Sequence, residues 1–180
     1  MTNISNTARI EVHVELIEQL FNSIDPSPFH ARDLDSQAQD YIVEAARELP
    51  KKDHLELLIH LDVRPAESDK LTHLERAIQT HFSVKATSTR RLLKELFARG
   101  RISLLIGLSF LTLFIVIVEL TKGWSGSGGM GQILHLSLLI GGWVAMWRPM
   151  EIFLYDWWPI AAQIRLFDRL AKIEVRVLTK

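Results

Sequence analysis

The sequence predicts an α+β protein: a small α/β domain with about three strands and a two-helix transmembrane hairpin. Three observations predict this class. Short segments of strict polar–apolar alternation lie near both ends of the chain, helical periodicity lies between them, and a long apolar run occupies the second half. The 180 residues suffice for a small domain together with membrane segments.

Period-two alternation predicts strands at 9–15, 55–61 and 172–177. The segments ARIEVHV at 8–14 and AKIEVRV at 171–177 are identical at five of seven positions. If both lie on one side of a membrane, they can belong to one sheet. The alternative, in which the last strand joins another subunit, stays open at this point.

Helical spacing of apolar residues predicts a helix from Ser36 to Leu49, with a capping box formed by Ser36 and Gln39. A second helix begins after Pro65. One straight helix over 67–101 would be about 50 Å long, too far for the last strand to return. A break is therefore predicted within 83–89, where β-branched and hydroxyl residues weaken a helix.

The clearest membrane signal is the segment 102–120, whose single charge is Glu119 at its far end. Its nineteen residues would span roughly 28 Å, close to the thickness of a bilayer core. A second, shorter apolar run predicts a span at about 132–148, if the stem of Arg148 lies along the lipid. A short glycine-rich segment joins the two runs.

Charge distribution predicts the orientation of this hairpin. Residues 85–101 carry six basic side chains and one acidic one, and residues 148–180 carry six more basic side chains. By the positive-inside tendency, both termini are cytoplasmic. The predicted organisation is a cytoplasmic α/β domain at 1–100, the hairpin at 101–148, and at 149–180 an interfacial segment with a strand that packs back on the domain. A basic block beside an apolar run predicts a bilayer rather than nucleic acid as partner.

Composition and spacing argue against several chemistries. The chain has no cysteine, so thiolate ligands and cysteine nucleophiles are excluded. The seven histidines do not have metal-site spacing, and the glycine-rich segment lacks the Lys-Ser/Thr ending of a phosphate loop. No catalytic, cofactor or metal residues are therefore assigned.

Small residues recur every four positions in both runs, a spacing that lets membrane helices approach closely. The predicted helix-packing residues are Ser103, Gly107, Ser137, Gly141 and Ala145. Whether they pack within one chain or between chains is open.

A candidate polar site occupies the segment 25–35, which contains two prolines and precedes the first helix. It comprises Asp25, His30, Arg32, Asp33 and Asp35. An enzyme could use such residues for proton transfer and anion binding. The structural alternative, which we favour, is that these carboxylates accept hydrogen bonds from backbone donors before the helix.

Aromatic and charged residues cluster at the end of the second run, as they do at headgroup depth. The predicted membrane-interface residues are Trp143, Trp147, Arg148, Glu151, Tyr155, Trp157 and Trp158. Arg148 and Glu151 are three residues apart and can pair on a helix.

Three passages, LFNSIDPSPFHARDLD at 20–35, RGRISLLIGLSFL at 99–111 and GGWVAMWRPMEIFLYDWWPI at 141–160, resemble a widespread family of uncharacterised bacterial two-span membrane proteins. The resemblance implies a bacterial cytoplasmic membrane and carries no activity with it.

The sequence thus favours a non-enzymatic integral membrane protein that acts as an oligomeric assembly, scaffold or accessory subunit. Its expected partners are the lipid bilayer and either further copies of the chain or a membrane protein complex. Two alternatives stay open: a small oligomeric channel or transporter, and a membrane-bound enzyme that uses the segment 25–35.

Overall fold

The computed structural model describes residues 7–28, 32–62, 68–121 and 129–179. In these residues the strands are β1 Thr7–Val14, β2 His54–Leu61 and β3 Glu174–Thr179, and the α-helices are α1 Ser36–Glu48, α2 Ser68–Thr121, α3 Gly129–Glu151 and α4 Trp157–Leu170. A 3-10 turn occupies Ile17–Leu20, and a π-helical segment, Ile152–Asp156, joins α3 to α4. The chain divides into two compact units, which we call the sheet unit (1–89 with 162–180) and the helical unit (90–161).

The sheet unit is built on three parallel strands in the order β1-β2-β3. Because parallel neighbours need a crossover rather than a tight turn, α1 lies between β1 and β2 in the chain. The C-terminal strand pairs with β2 of its own chain, from Glu56–Glu174 to Leu61–Thr179. The predicted α+β class with three strands is confirmed, and the last strand has no need of another subunit.

One face of the sheet supplies the core of this unit. Ile10, Leu57 and Ile59 alternate with outward residues along the strands and are buried. Helices cover them: Phe82 of α2 and Phe167 of α4 stack with ring centroids 6.3 Å apart. The 3.6-residue spacing of apolar positions on each helix therefore determines which side meets the sheet.

The predicted break within 83–89 is wrong, because α2 is helical throughout Ser68–Thr121. The hydroxyl groups of this segment bond to carbonyls of the preceding turn instead of competing with the helix. Thr87 and Thr89 donate to the carbonyls of Ser83 and Lys85 at 2.9 and 2.8 Å. Back-bonding of this kind satisfies serine and threonine inside a helix.

In the helical unit, α3 packs against α2 in the antiparallel sense. Gly107 lies against Ala145, whereas Phe114, further along α2, lies against Gly141, earlier in α3. Contacts are close because these glycines carry no side chain. The helices extend beyond the predicted spans, since α2 contains 102–120 and α3 runs over 129–151.

Candidate functional site

The helical unit exposes a large apolar surface. Among the residues that the structure describes, one helix, His73–Leu120, is long and apolar enough to cross a membrane, and only 6% of its most apolar 18-residue window is buried. The core helix of a soluble protein would bury most of such a window. α3 also exposes large apolar side chains, with Leu139 63%, Ile140 62% and Val144 64% exposed. Exposed apolar patches of this extent mark interaction with a membrane or a protein.

Three of the five predicted helix-packing residues lie between α2 and α3. A Cβ placed on Gly107 would be 3.0 Å from the carbonyl oxygen of Ala145, and one on Gly141 would be 3.2 Å from the ring of Phe114. Ser103 is half-buried and Ser137 is exposed. The four-residue spacing therefore identified the contact but not its full extent.

Two further glycines of the helical unit make close contacts, Gly142 between α2 and α3 and Gly100 against the π-helical segment. A Cβ on Gly100 would lie 2.8 Å from Cγ2 of Ile152, and one on Gly142 would lie 2.9 Å from Cδ1 of Leu111. Gly142 follows the predicted residue Gly141, and Gly100 lies seven residues, or about two helical turns, before the predicted residue Gly107. Extending the helical spacing from these two predicted residues could therefore have identified both glycines.

The predicted pairing of Arg148 is present and larger than expected. Its Nη1 lies 3.0 Å from Oε2 of Glu151 and 3.5 Å from Oδ2 of Asp156. The sequence did not predict the contact with Asp156, because residues eight apart on a regular α-helix are too distant to pair. The π-helical segment between them changes the helical phase.

Prolines bracket this irregular segment. Pro149 and Pro159 lack the N–H that would bond to Ala145 and Tyr155, so the regular ladder is interrupted on both sides. The indole N–H of Trp157 donates to the carbonyl of Phe153 at 3.0 Å.

The remaining predicted interface aromatics point largely outward. Trp143 is 65%, Tyr155 69% and Trp158 64% exposed, and Trp147 is also exposed. Neighbouring indoles contact one another: the rings of Trp143 and Trp147 lie 5.6 Å apart and those of Trp157 and Trp158 lie 5.7 Å apart. Amphipathic rings in such a cluster suit a boundary between lipid and water.

A group of cations precedes the apolar part of α2. Arg91, Lys94, Arg99 and Arg101 are exposed, and none of them has an ion-pair partner among the described residues. We call these four residues the basic collar. Two arginines of the sheet unit behave differently, since Arg9 and Arg176 both pair with Glu56.

In the sheet unit, two carboxylates of the candidate polar site satisfy backbone donors. Asp25 accepts from the amides of Ser27 and Asp33 at 2.9 and 2.8 Å. These bonds, the Asp33 amide first, lower the pKa of the Asp25 carboxyl below its usual value. Asp35 accepts from the amide of Gln37 at 2.9 Å and is the N-cap of α1. The predicted capping role of Ser36 is wrong, because Ser36 is the first helical residue.

The third carboxylate, Asp33, contacts a histidine that the sequence did not single out. Nδ1 of His81, in α2, lies 2.9 Å from Oδ1 of Asp33, and Nε2 lies 3.0 Å from Oε1 of Gln39. The side chain of His81 is almost fully buried. His81 lies three residues after Ile78 and seven after Leu74, so it is on the same, buried face of the helix. This spacing could have predicted its burial from the sequence.

Burial lowers the pKa of His81, and the hydrogen bond and charge of Asp33 oppose that effect without reversing it. Nδ1 of His81 also lies 3.3 Å from the amide nitrogen of Leu34, so the tautomer decides whether Nδ1 donates to Asp33 or accepts from Leu34, and which role Nε2 has toward Gln39. This arrangement attaches the segment 32–39 to α2.

The carboxylates of this site therefore have structural partners, whereas the buried Nε of Arg32 has no hydrogen-bond partner among the described residues. Arg32 is half-buried and its charge contributes a smaller lowering of the pKa of Asp25. His30 lies outside the described residues. The carboxylates are bonded to backbone amides and to His81, and these contacts organise the loop before α1.

Comparison of the chain with protein-family models, curated proteins and solved structures finds no match in any of the three.

Proposed function

We propose that this chain is a non-enzymatic integral membrane protein of the bacterial cytoplasmic membrane, in which α2 and α3 form a two-span hairpin and the sheet unit is cytoplasmic. Its role is that of an oligomeric assembly, scaffold or accessory subunit. The observation that carries the proposal is the exposed apolar surface shared by two helices that pack closely through glycines.

The flanking residues support the same placement. The basic collar stands directly before the apolar part of α2, and the Arg148 cluster with its tryptophans stands at the end of α3. Cations without partners next to an apolar helix suit anionic lipid headgroups, each contributing about 1 kcal/mol near the surface.

The absence of native cysteine makes topology directly measurable. A membrane-impermeant maleimide applied to intact spheroplasts is expected to label a Ser127→Cys chain and leave a Lys52→Cys chain unlabelled until the membrane is opened. Labelling of both without lysis, or extraction of the chain by alkaline carbonate, would contradict the two-span topology.

The assembly role is tested separately by native mass spectrometry of the full chain in detergent, and by affinity purification from native membranes. We expect a discrete homo-oligomer or a stable complex. A strictly monomeric chain that copurifies with no other protein would refute this role while leaving the topology intact.

A further inference from the structure

The outward face of the sheet, opposite the helices, is exposed at its two edge strands. Arg9 and Arg176 have side chains 63% and 65% exposed. Parallel sheets are normally covered on both faces. Here helices cover one face, and the other presents charged and apolar side chains in a regular pattern.

Strand register creates that pattern. β1 and β3 have nearly the same sequence but are aligned two residues out of step, so that Arg9 is level with Glu56 and Glu174. The next outward row contains Glu11, Leu58 and Arg176. These two rows have opposite charges at their two ends, in reversed order, and the third outward row, His13, His60 and Leu178, has no acidic residue.

Such a face is complementary to itself. Consider two copies whose outward faces meet, related by a two-fold axis that runs parallel to β2 midway between the two sheets. The rotation places β1 of one copy opposite β3 of the other, and each row stays at the same position along the strands. Arg9 of one copy then meets Glu174 of the other, Glu11 meets Arg176, and Leu58 meets its own equivalent on the axis. A regularly twisted sheet is congruent with itself after this rotation, so the twist does not separate the rows.

We infer that this face binds the same face of a second copy of the chain, about a two-fold axis parallel to β2. Glu56 also lies on the axis and would meet its equivalent, which opposes binding. The side chain of Glu56 is 4% exposed, and its carboxylate is held by two guanidinium groups, Arg9 at 2.8 Å and Arg176 at 2.7 Å. These cations compensate the negative charge where the copies meet.

The face is too small to hold two copies together in solution, so binding between copies requires that both are anchored in one membrane. Three strands about 4.8 Å apart and six residues long cover on the order of 300 Å² per copy, against about 800 Å² per partner in a standard interface. Exposed ion pairs contribute little individually. The inference therefore rests on the proposed membrane anchoring, which raises the effective concentration of the copies.

Single cysteines in the full chain test the axis. In vesicles of phosphatidylethanolamine and phosphatidylglycerol, Leu58→Cys is expected to give about tenfold more dimer with a short bismaleimide than Glu44→Cys on α1, because facing sheets lie about 10 Å apart. His13→Cys and Leu178→Cys chains are expected to cross-link when mixed, and each much less alone, since equivalent residues lie at opposite edges.

Charge substitution tests the complementarity. In the Leu58→Cys background, Glu11→Lys with Glu174→Lys replaces all four attractive pairs by repulsive ones and is expected to reduce cross-linking about tenfold or more. The matched control, Glu44→Lys with Glu48→Lys on exposed positions of α1, makes the same charge change and is expected to leave cross-linking unchanged.

An oligomeric chain in which Leu58→Cys cross-links no better than Glu44→Cys would overturn this inference and leave the assembly role standing. Cross-linking of Leu58→Cys mainly to a different protein would also overturn it. A chain that is monomeric in the same vesicles would instead refute the assembly role itself.

Discussion

Replacing Gly107 by alanine tests the contact between α2 and α3. The new methyl group would lie 3.0 Å from a backbone oxygen, that of Ala145, and 3.0 Å from the sulfur of Met146. The sulfur is the mobile end of a side chain, whereas the oxygen belongs to the helix backbone. Because Pro149 has no N–H, the Ala145 carbonyl lacks its usual helical partner and faces Gly107 at close range.

Two terms of opposite sign determine the result. Alanine in place of glycine inside a helix stabilises it by about 1 kcal/mol, and forcing a methyl group into a packed contact costs about 1–3 kcal/mol. The net expectation for Gly107→Ala is a loss of up to about 2 kcal/mol. In Gly141→Ala the nearest obstacle is the ring of Phe114 at 3.2 Å, which can move. That variant is expected to be neutral or up to about 1 kcal/mol more stable.

The assay is unfolding of the purified full chain in mixed micelles by increasing SDS fraction, followed by tryptophan fluorescence. All five tryptophans lie within 124–158, so the signal reports on the helical unit. Gly107→Ala is expected to unfold at a lower SDS fraction than Gly141→Ala. If the order is reversed, or the two variants are equal, the close approach of the helices at Ala145 is refuted.

Three further outcomes are expected. Because the pKa of His81 is lowered in the folded chain, the folded state binds fewer protons than the unfolded one, and the free energy of unfolding is expected to fall as the pH drops below 6.5. In denaturant unfolding, His81→Gln should make the free energy of unfolding depend less on pH between about pH 7 and 5. An unchanged dependence on pH would contradict this role of His81. Asp35→Ala is expected to lower the free energy of unfolding by about 1 kcal/mol, because the N-cap of α1 is lost. Denaturant unfolding measures this change, with Asp40→Ala as the control. Equal losses of stability in the two variants would contradict the capping role. Replacing Arg91 and Lys94 by glutamine is expected to reduce the preference for brominated phosphatidylglycerol over brominated phosphatidylcholine in tryptophan quenching, and an unchanged preference would exclude headgroup binding by the basic collar.

Local sequence patterns predicted much of the sheet unit, because each strand or helix there has one face that packs on the core and must be apolar. The alternation of 55–61 corresponds to β2, and the apolar spacing of α4 corresponds to its buried residues Ile164 and Phe167. Predictions that depended on long-range geometry were less successful. The break in α2 was expected from the distance to the last strand and from the hydroxyl and β-branched residues of 83–89, and the structure instead satisfies those hydroxyl groups within the helix.

The candidate polar site shows the same division. Asp25 and Asp35 bond to nearby backbone, at most eight residues away, so local sequence was enough to indicate their role. Asp33 has its partner, His81, 48 residues away, and no local spacing relates them.

By itself, the sequence determined the strands, the helix faces and the apolar character of 102–120, because these follow from the order of polar and apolar residues along a regular backbone. Tertiary structure alone decided the partners. It brought His81 to Asp33, and it shifted β3 by two residues against the matching repeat in β1, which placed Arg9 level with Glu174. The physical reason is that register and docking depend on how separate segments bury their apolar faces together, and no single segment contains that information.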